Sequence, residues 1–224
     1  MKKSIFILSL VLVYHTAFAQ KLNFGLRAGL TSAQLVENVN GATGNTASIT
    51  NVDIAAYLDF KYGNFTIQPG VGYFLKGGGG DGGSFSTGSV AYLSNVVLTL
   101  HYLEIPVNLI YNFPVKYGKF FVGAGPYVAY ALSGNNEVLN IIVPTSSGST
   151  GSQSNTANYP VSFGSGIGDL HRVDFGVNTL GGFRFKNGLE LGFAFSPGLT
   201  NLVNASNVST KNVTASFTVG YFFK

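Results

Sequence analysis

Along eight separate stretches of this 224-residue chain, apolar and polar residues alternate with a period of two. A strand turns successive side chains to opposite faces, so this pattern builds sheets with one apolar face and excludes amphipathic helices. In the first stretch Leu22, Phe24, Leu26, Ala28 and Leu30 alternate with Asn23, Gly25, Arg27 and Gly29. The others run over 52–62, 65–76, 103–113, 120–132, 172–185, 189–196 and 213–223. Each is about nine to fourteen residues long, the length a tilted strand needs to cross a bilayer. Ten residues at about 3.3 Å, tilted by about 45°, reach about 23 Å, against an apolar band about 25 Å tall.

The connections alternate in length. Long segments near 31–50, 77–95, 133–170 and 201–210 are rich in Gly, Ser, Thr and Asn, and the third reads as a low-complexity, mobile loop. The turns at Tyr62-Gly63-Asn64, Pro114 to Lys119 and Lys186-Asn187-Gly188 are tight, and Asn187-Gly188 is a strong hairpin signal. Short turns on one side and long loops on the other are the pattern of an outer-membrane barrel.

Composition narrows the class further. Charged residues are 10 % of the chain, against roughly 25 % in soluble domains. The aromatic and aliphatic content excludes disorder. The absence of cysteine excludes a disulfide scaffold and thiol chemistry, and the 30 glycines show no three-residue period of the collagen kind. The net charge of +4, two units of which are Lys2 and Lys3, is too weak and scattered for nucleic acid. Residues 1–19 read as a cleaved signal peptide: a basic start, an apolar run from Ile5 to Val13, and Ala17-Phe18-Ala19 as the cleavage site. The rest, 20–224, reads as one domain. It has no apolar run long enough for a membrane helix.

These features converge on an all-β fold: an eight-stranded antiparallel up-and-down transmembrane β-barrel in the outer membrane, a monomer in contact with lipid and with the barrel-assembly machinery. The apolar phase then faces lipid. The polar phase carries charges of both signs, expected to form an internal network: Arg27, Asp53, Asp59, Lys61, Glu104, Arg172, Asp174, Arg184 and Glu190, with Lys76 and Lys186 on the same phase. Glu104 is expected to pair with Arg27 or Arg184. Eight strands leave room for side chains and not for an aqueous channel. Tyr62, Phe65, Tyr111, Phe113, Phe120, Phe183, Phe185, Tyr221 and Phe223 collect beside the short turns and read as a periplasmic aromatic girdle. The inverted arrangement, a soluble exported barrel holding an apolar ligand, requires an outer face rich in Lys and Glu.

Little chemistry is visible. His101 lies three residues from Glu104, and His171 three from Asp174. On a strand that spacing puts the side chains on opposite faces. A lipid-modifying or proteolytic barrel enzyme needs a histidine against an inward carboxylate and a serine at the outer rim. Gly77 to Gly80 is not followed by Gly-Lys-Ser/Thr and is no P-loop. No metal-ligand spacing and no cofactor motif is present, so no catalytic, cofactor or metal residue is assigned.

Tyr102-Leu103-Glu104-Ile105-Pro106-Val107 resembles a strand of the PorT-type outer-membrane β-barrel proteins. Phe24 to Thr31, Gly123-Ala124-Gly125-Pro126-Tyr127 and Asp174-Phe175-Gly176 are similar to other strands of that family. The resemblance covers the mature chain. It implies an eight-stranded outer-membrane barrel and, from the family's namesake, a link to an envelope or secretion complex. Pro106 cannot donate to a strand ladder, so its site is expected to be a bulge or an unpaired position. The role left by these readings is non-enzymatic: surface structure, adhesion or membership of an envelope complex.

Overall fold

Alternation of this kind leaves every strand with backbone groups that only neighbouring strands can satisfy inside lipid, so the sheet must close on itself. A computed structural model describes residues 22–87, 90–144, 151–205 and 207–223; the leader expected at 1–19 and residue 224 lie outside them. In chain order the strands are β1 (Leu22–Val39), β2 (Ala42–Asn45), β3 (Ile49–Tyr62), β4 (Phe65–Thr87), β5 (Val90–Val115), β6 (Gly118–Pro144), β7 (Gln153–Pro160), β8 (Val173–Phe185), β9 (Leu189–Pro197) and β10 (Val208–Phe222). Eight of them form an antiparallel ring in the order β1, β3, β4, β5, β6, β8, β9, β10, which β10 closes onto β1 from Gly25↔Phe222 to Val39↔Val208. The short β2 and β7 lie off the ring and pair with β1 and β6.

The two phases separate as charge and hydropathy require. Leu30, Val52, Phe193 and Phe217 point outward, each more than half exposed, whereas Asp59, Asp174 and Glu190 are fully buried inside. This orientation disposes of the inverted, soluble arrangement. The hairpins β3–β4, β5–β6 and β8–β9 carry the short turns, at the end where β1 starts and β10 stops. By the rule of short periplasmic turns, that is the periplasmic end.

The long connections are not all loops. Residues 31–39, 77–87, 90–95 and 133–144, expected to be irregular, continue β1, β4, β5 and β6. Part of the third long segment is β7. Beyond the bilayer both faces of a strand meet water, so pairing no longer demands an alternating pattern, and backbone ladders alone extend the hairpins. The run Val138 to Val143 carried the signal in its β-branched residues. The glycine run 77–80 is also strand, and Gly79 exchanges both backbone hydrogen bonds with Ala47 at 2.7 and 2.8 Å.

Pro106 sits at an interruption without a bulge. On the β4 side the pairing stops at Pro69↔Val107 and resumes in the same register at Gly72↔Glu104. Pro69 and Pro126 stand at similar gaps in the β3–β4 and β5–β6 ladders. The bulges are elsewhere, at Asp81/Gly83 and His101/Tyr102.

Leu191 on β9 faces outward, and Asn155 on β7 is exposed beyond the barrel. Leu191→Arg is expected to impair assembly, because a cation facing lipid costs free energy that rises with depth, to about 2–4 kcal/mol at the midplane. Asn155→Arg is expected to assemble normally. Heat-dependent gel mobility of the outer-membrane fraction distinguishes the two, and equal behaviour refutes the assignment of faces.

Candidate functional site

The lumen is the one place where charged side chains from distant strands must meet. At the periplasmic end five residues form a closed ring of hydrogen bonds. Arg27 on β1 donates through Nε and Nη2 to Glu190 Oε1 at 3.0 and 2.6 Å. Arg184 on β8 grips the other oxygen of Glu190 at 2.7 Å and donates through Nη1 to Asp59 on β3 at 2.5 Å. Gln68 on β4 donates to the second Asp59 oxygen at 2.7 Å and accepts from Arg27 at 3.5 Å. Two guanidinium groups and two carboxylates make the ring neutral. A guanidinium suits this position because its flat fork bonds a carboxylate through two donors.

Inward aromatics complete the layer. The Arg184 guanidinium lies 3.4 Å from the centroid of Phe222, and Arg27 lies 4.4 Å from that of Tyr57. Both rings lie where glycine makes room. A Cβ on Gly25 would stand 2.3 Å from the Phe222 ring, and one on Gly70 would stand 2.5 Å from Tyr57. A larger residue at either position displaces the ring that covers an arginine.

A second cluster lies nearer the outer end. Lys76 Nζ is 2.8 Å from Glu104 and 3.6 Å from Asp174, and sits 3.9 Å over the Tyr127 ring. Asn212 donates to Asp174 at 3.1 Å. Asp53 accepts from Thr31, which also bonds Ser216 at 2.6 Å. Between the two layers remains a cavity of about 40 Å³, which Asp53, Glu104, Asn108 and Asn178 help to line. That is room for a few waters and not for a permeating solute.

Above this cluster the lumen is apolar. Leu35, Leu100, Tyr102, Tyr127, Ala129, Ala131 and Leu202 form one buried group, with Leu98, Val161, Phe163 and Leu170 packed against it. Leu202, Val161, Phe163 and Leu170 come from the long connections at 133–170 and 201–210, whose Gly, Ser, Thr and Asn content predicts loops. These segments instead fold back as an apolar stopper, and isolated apolar residues in a polar stretch were the available signal.

Three sequence expectations change. Glu104 pairs with Lys76 and not with Arg27 or Arg184, because those two arginines lie one layer lower on Glu190 and Asp59. Arg172 is not inside: it precedes β8, is exposed, donates to the Ala131 carbonyl at 3.0 Å and stacks on Phe163 at 4.7 Å. Lys61 is half-buried at the periplasmic mouth, donating to Asn23 at 3.1 Å, below the ring and not part of it. Lys76 is inside, on the phase expected of it, and Gln68, Tyr57 and Phe222 join the interior from the same inward phase.

The aromatic residues beside the short turns lie on the outer face and touch in chains. Phe65 and Tyr111 are 4.9 Å apart, Tyr111 and Phe113 4.7 Å, Phe120 and Phe183 4.8 Å, Phe183 and Phe185 4.8 Å, and Tyr221 and Phe223 5.0 Å. Tyr62 is exposed at the same end. Among the described residues neither His101 nor His171 hydrogen-bonds a carboxylate. The His171 ring bonds Asn204, and His101 Nδ1 lies 2.5 Å from the Tyr73 hydroxyl on the outer face, the face it shares by alternation with Leu103 and Ile105.

Outward apolar staves around a plugged, charge-paired lumen define an integral outer-membrane β-barrel. Residues 18–204 match the outer membrane protein beta-barrel domain, and the chain belongs to that family. No curated protein matches the sequence. Among solved structures it is similar to Ail, the attachment invasion locus protein of Yersinia pestis, at 11 % identity and TM-score 0.40, covering 90 % of this chain and 98 % of that one. Neisserial surface protein A is similar at 12 % identity and TM-score 0.37, covering 89 % and 97 %.

Removing Arg184 takes the only cation from Asp59, which keeps Gln68 alone, and leaves Glu190 with Arg27 alone, so Arg184→Met is expected to destabilise the barrel by about 3–5 kcal/mol. Arg172→Met, at the outer rim, is expected to leave stability near that of the unmodified chain. Urea titration of the detergent-solubilised protein, read by the folded gel band, compares them.

Proposed function

We propose that this barrel is a non-enzymatic, monomeric surface-binding protein, with the projecting part of β4–β5–β6–β7 as its recognition face. The observation that carries this reading is strand length. β4, β5 and β6 run for 23, 26 and 27 residues, whereas crossing the bilayer takes about 9–11. The excess forms a continuous sheet beyond the outer rim, with β7 paired to β6 from Asn135↔Pro160 to Ile142↔Gln153. Rigid hairpins hold a binding face at little ordering cost, which mobile loops do not. Envelope-complex membership, implied by the PorT-type resemblance, would use the same projecting face.

Deleting residues 137–158 removes the tip of this face and leaves the staves of the barrel in place. Cells displaying the full chain are expected to gain attachment to a surface or protein partner, scored on immobilised extracellular-matrix and glycan arrays. Cells displaying the deletion should lose it while keeping the heat-dependent gel shift. Attachment unchanged by the deletion, or a change in lipid mass or peptide cleavage that His171→Ala abolishes, overturns the proposal.

A further inference from the structure

The buried charges of the lumen do not balance. Among the described residues they comprise three cations, Arg27, Lys76 and Arg184, and five carboxylates, Asp53, Asp59, Glu104, Asp174 and Glu190. The arginine ring is neutral, with Asp59 and Glu190 shared between Arg27 and Arg184. The layer above it therefore sets Lys76 alone against three carboxylates. Lys76 reaches Glu104 and Asp174. Asp53 takes a hydrogen bond from the Thr31 hydroxyl but, among the described residues, makes no ion pair with a lysine or arginine. Lys61 and Lys119 stand at the periplasmic mouth, on the far side of the ring. An excess of two negative charges in an interior walled off from water is costly unless positive charge meets it.

The cavity of about 40 Å³ between the two layers lies against Asp53 and Glu104, which are within electrostatic range of each other. Asn108 on β5 and Asn178 on β8 line the same cavity and are only 2 % and 8 % exposed. The Oδ1 atom of each has no hydrogen-bond partner among the described residues. A buried amide oxygen left this way calls for a donor or a cation beside it. Gly29 keeps the space at Asp53 open, since a Cβ there would stand 3.2 Å from both carboxylate oxygens. Arg27 also lines the cavity, yet its guanidinium is turned to Glu190 and the Tyr57 ring.

Water satisfies the amide oxygens but leaves the charge unmet; a metal ion does both. The atoms offered to it are oxygens, two carboxylates and two amides, with Ser216 and Thr218 adding hydroxyls. An all-oxygen set suits the hard cations rather than zinc or copper. No group of three acids or histidines forms among the described residues, so the amides take the place of a third acid. An irregular set drawn from several strands fits the flexible coordination of calcium, whereas magnesium demands an octahedron and retains a water shell that about 40 Å³ does not hold. A divalent ion also matches the excess of two charges. We infer that this cavity is a calcium site formed by Asp53, Glu104, Asn108 and Asn178. The arginine ring below and the apolar group above cover it, so the ion enters as the barrel closes. No spacing in the sequence marks such ligands, because β3, β5 and β8 bring them together only across the lumen.

The test uses the full-length product extracted from outer membranes in detergent. It is unfolded in urea with a chelator, then refolded into metal-free micelles with calcium, magnesium or sodium as the sole added cation. After gel filtration, bound metal is counted by mass spectrometry and the melting temperature is read from the folded gel band. The unmodified chain is expected to retain about one calcium per barrel and to melt at a higher temperature for it. Asp53→Asn and, separately, Asn178→Leu are expected to weaken calcium binding about tenfold or more. Their melting temperatures should no longer rise with calcium. Asp169→Asn, which removes a carboxylate in the connection before β8, should bind as the unmodified chain does. Should Asp53→Asn fail to fold, Asn178→Leu carries the comparison. Calcium retained by the unmodified chain and lost from the variants supports the site. No retained calcium, which would mean that protons meet the excess charge, overturns the inference. So does equal retention by the variants, or equal filling by magnesium or sodium.

Discussion

Two arginines and two carboxylates, with Gln68 between them, join five of the eight staves through a single ring of hydrogen bonds across the lumen. β1, β9, β8, β3 and β4 each contribute one member. The wall of the barrel gains nothing from burial on its lipid side, because lipid is as apolar as its own side chains. Specificity of closure must therefore come from inside and from the ladders. The ring supplies it: a register slip of one residue on any of these staves turns its ring member toward hydrocarbon and leaves a partner unpaired.

The second cluster is built differently. Lys76 is a point charge held between Glu104, Asp174 and the face of Tyr127. It serves carboxylates from β5 and β8, while Asp53 is met by a hydroxyl. The interior thus grades from a neutral, bidentate layer near the periplasm to a more acidic layer above, and then to an apolar stopper.

What the sequence shows and what it hides divide along a physical line. Period-two alternation marks which residues face lipid because the bilayer enforces it at every position between Leu22 and Leu30 or Leu189 and Phe195. The outward position of Phe65, Tyr111 and Phe120 follows from the same rule. Partner choice across the lumen does not, since it depends on stagger between staves, and so Glu104 meets Lys76 and not an arginine. Arg172 reads as interior by parity, yet it stands just outside β8, where parity no longer binds it. The extension of β4, β5 and β6 and the inward fold of Leu202 lie outside the bilayer, where no periodic constraint marks the residues involved.

The pairing of β1 with β10 carries a consequence for biogenesis. The first and last staves join from Gly25↔Phe222 to Val39↔Val208, between residues at opposite ends of the chain. Arg27 and Glu190 bridge a separation of 163 residues. Contacts of such long range form late, because the entropy of closing the loop is lost before the contacts repay it. A nascent chain lacking its final hairpin has two bare strand edges and a half-neutralised interior, so it holds no stable partial fold. Until the last strand arrives the chain lacks the contacts that close it, and its two bare edges stay open to pairing with other chains.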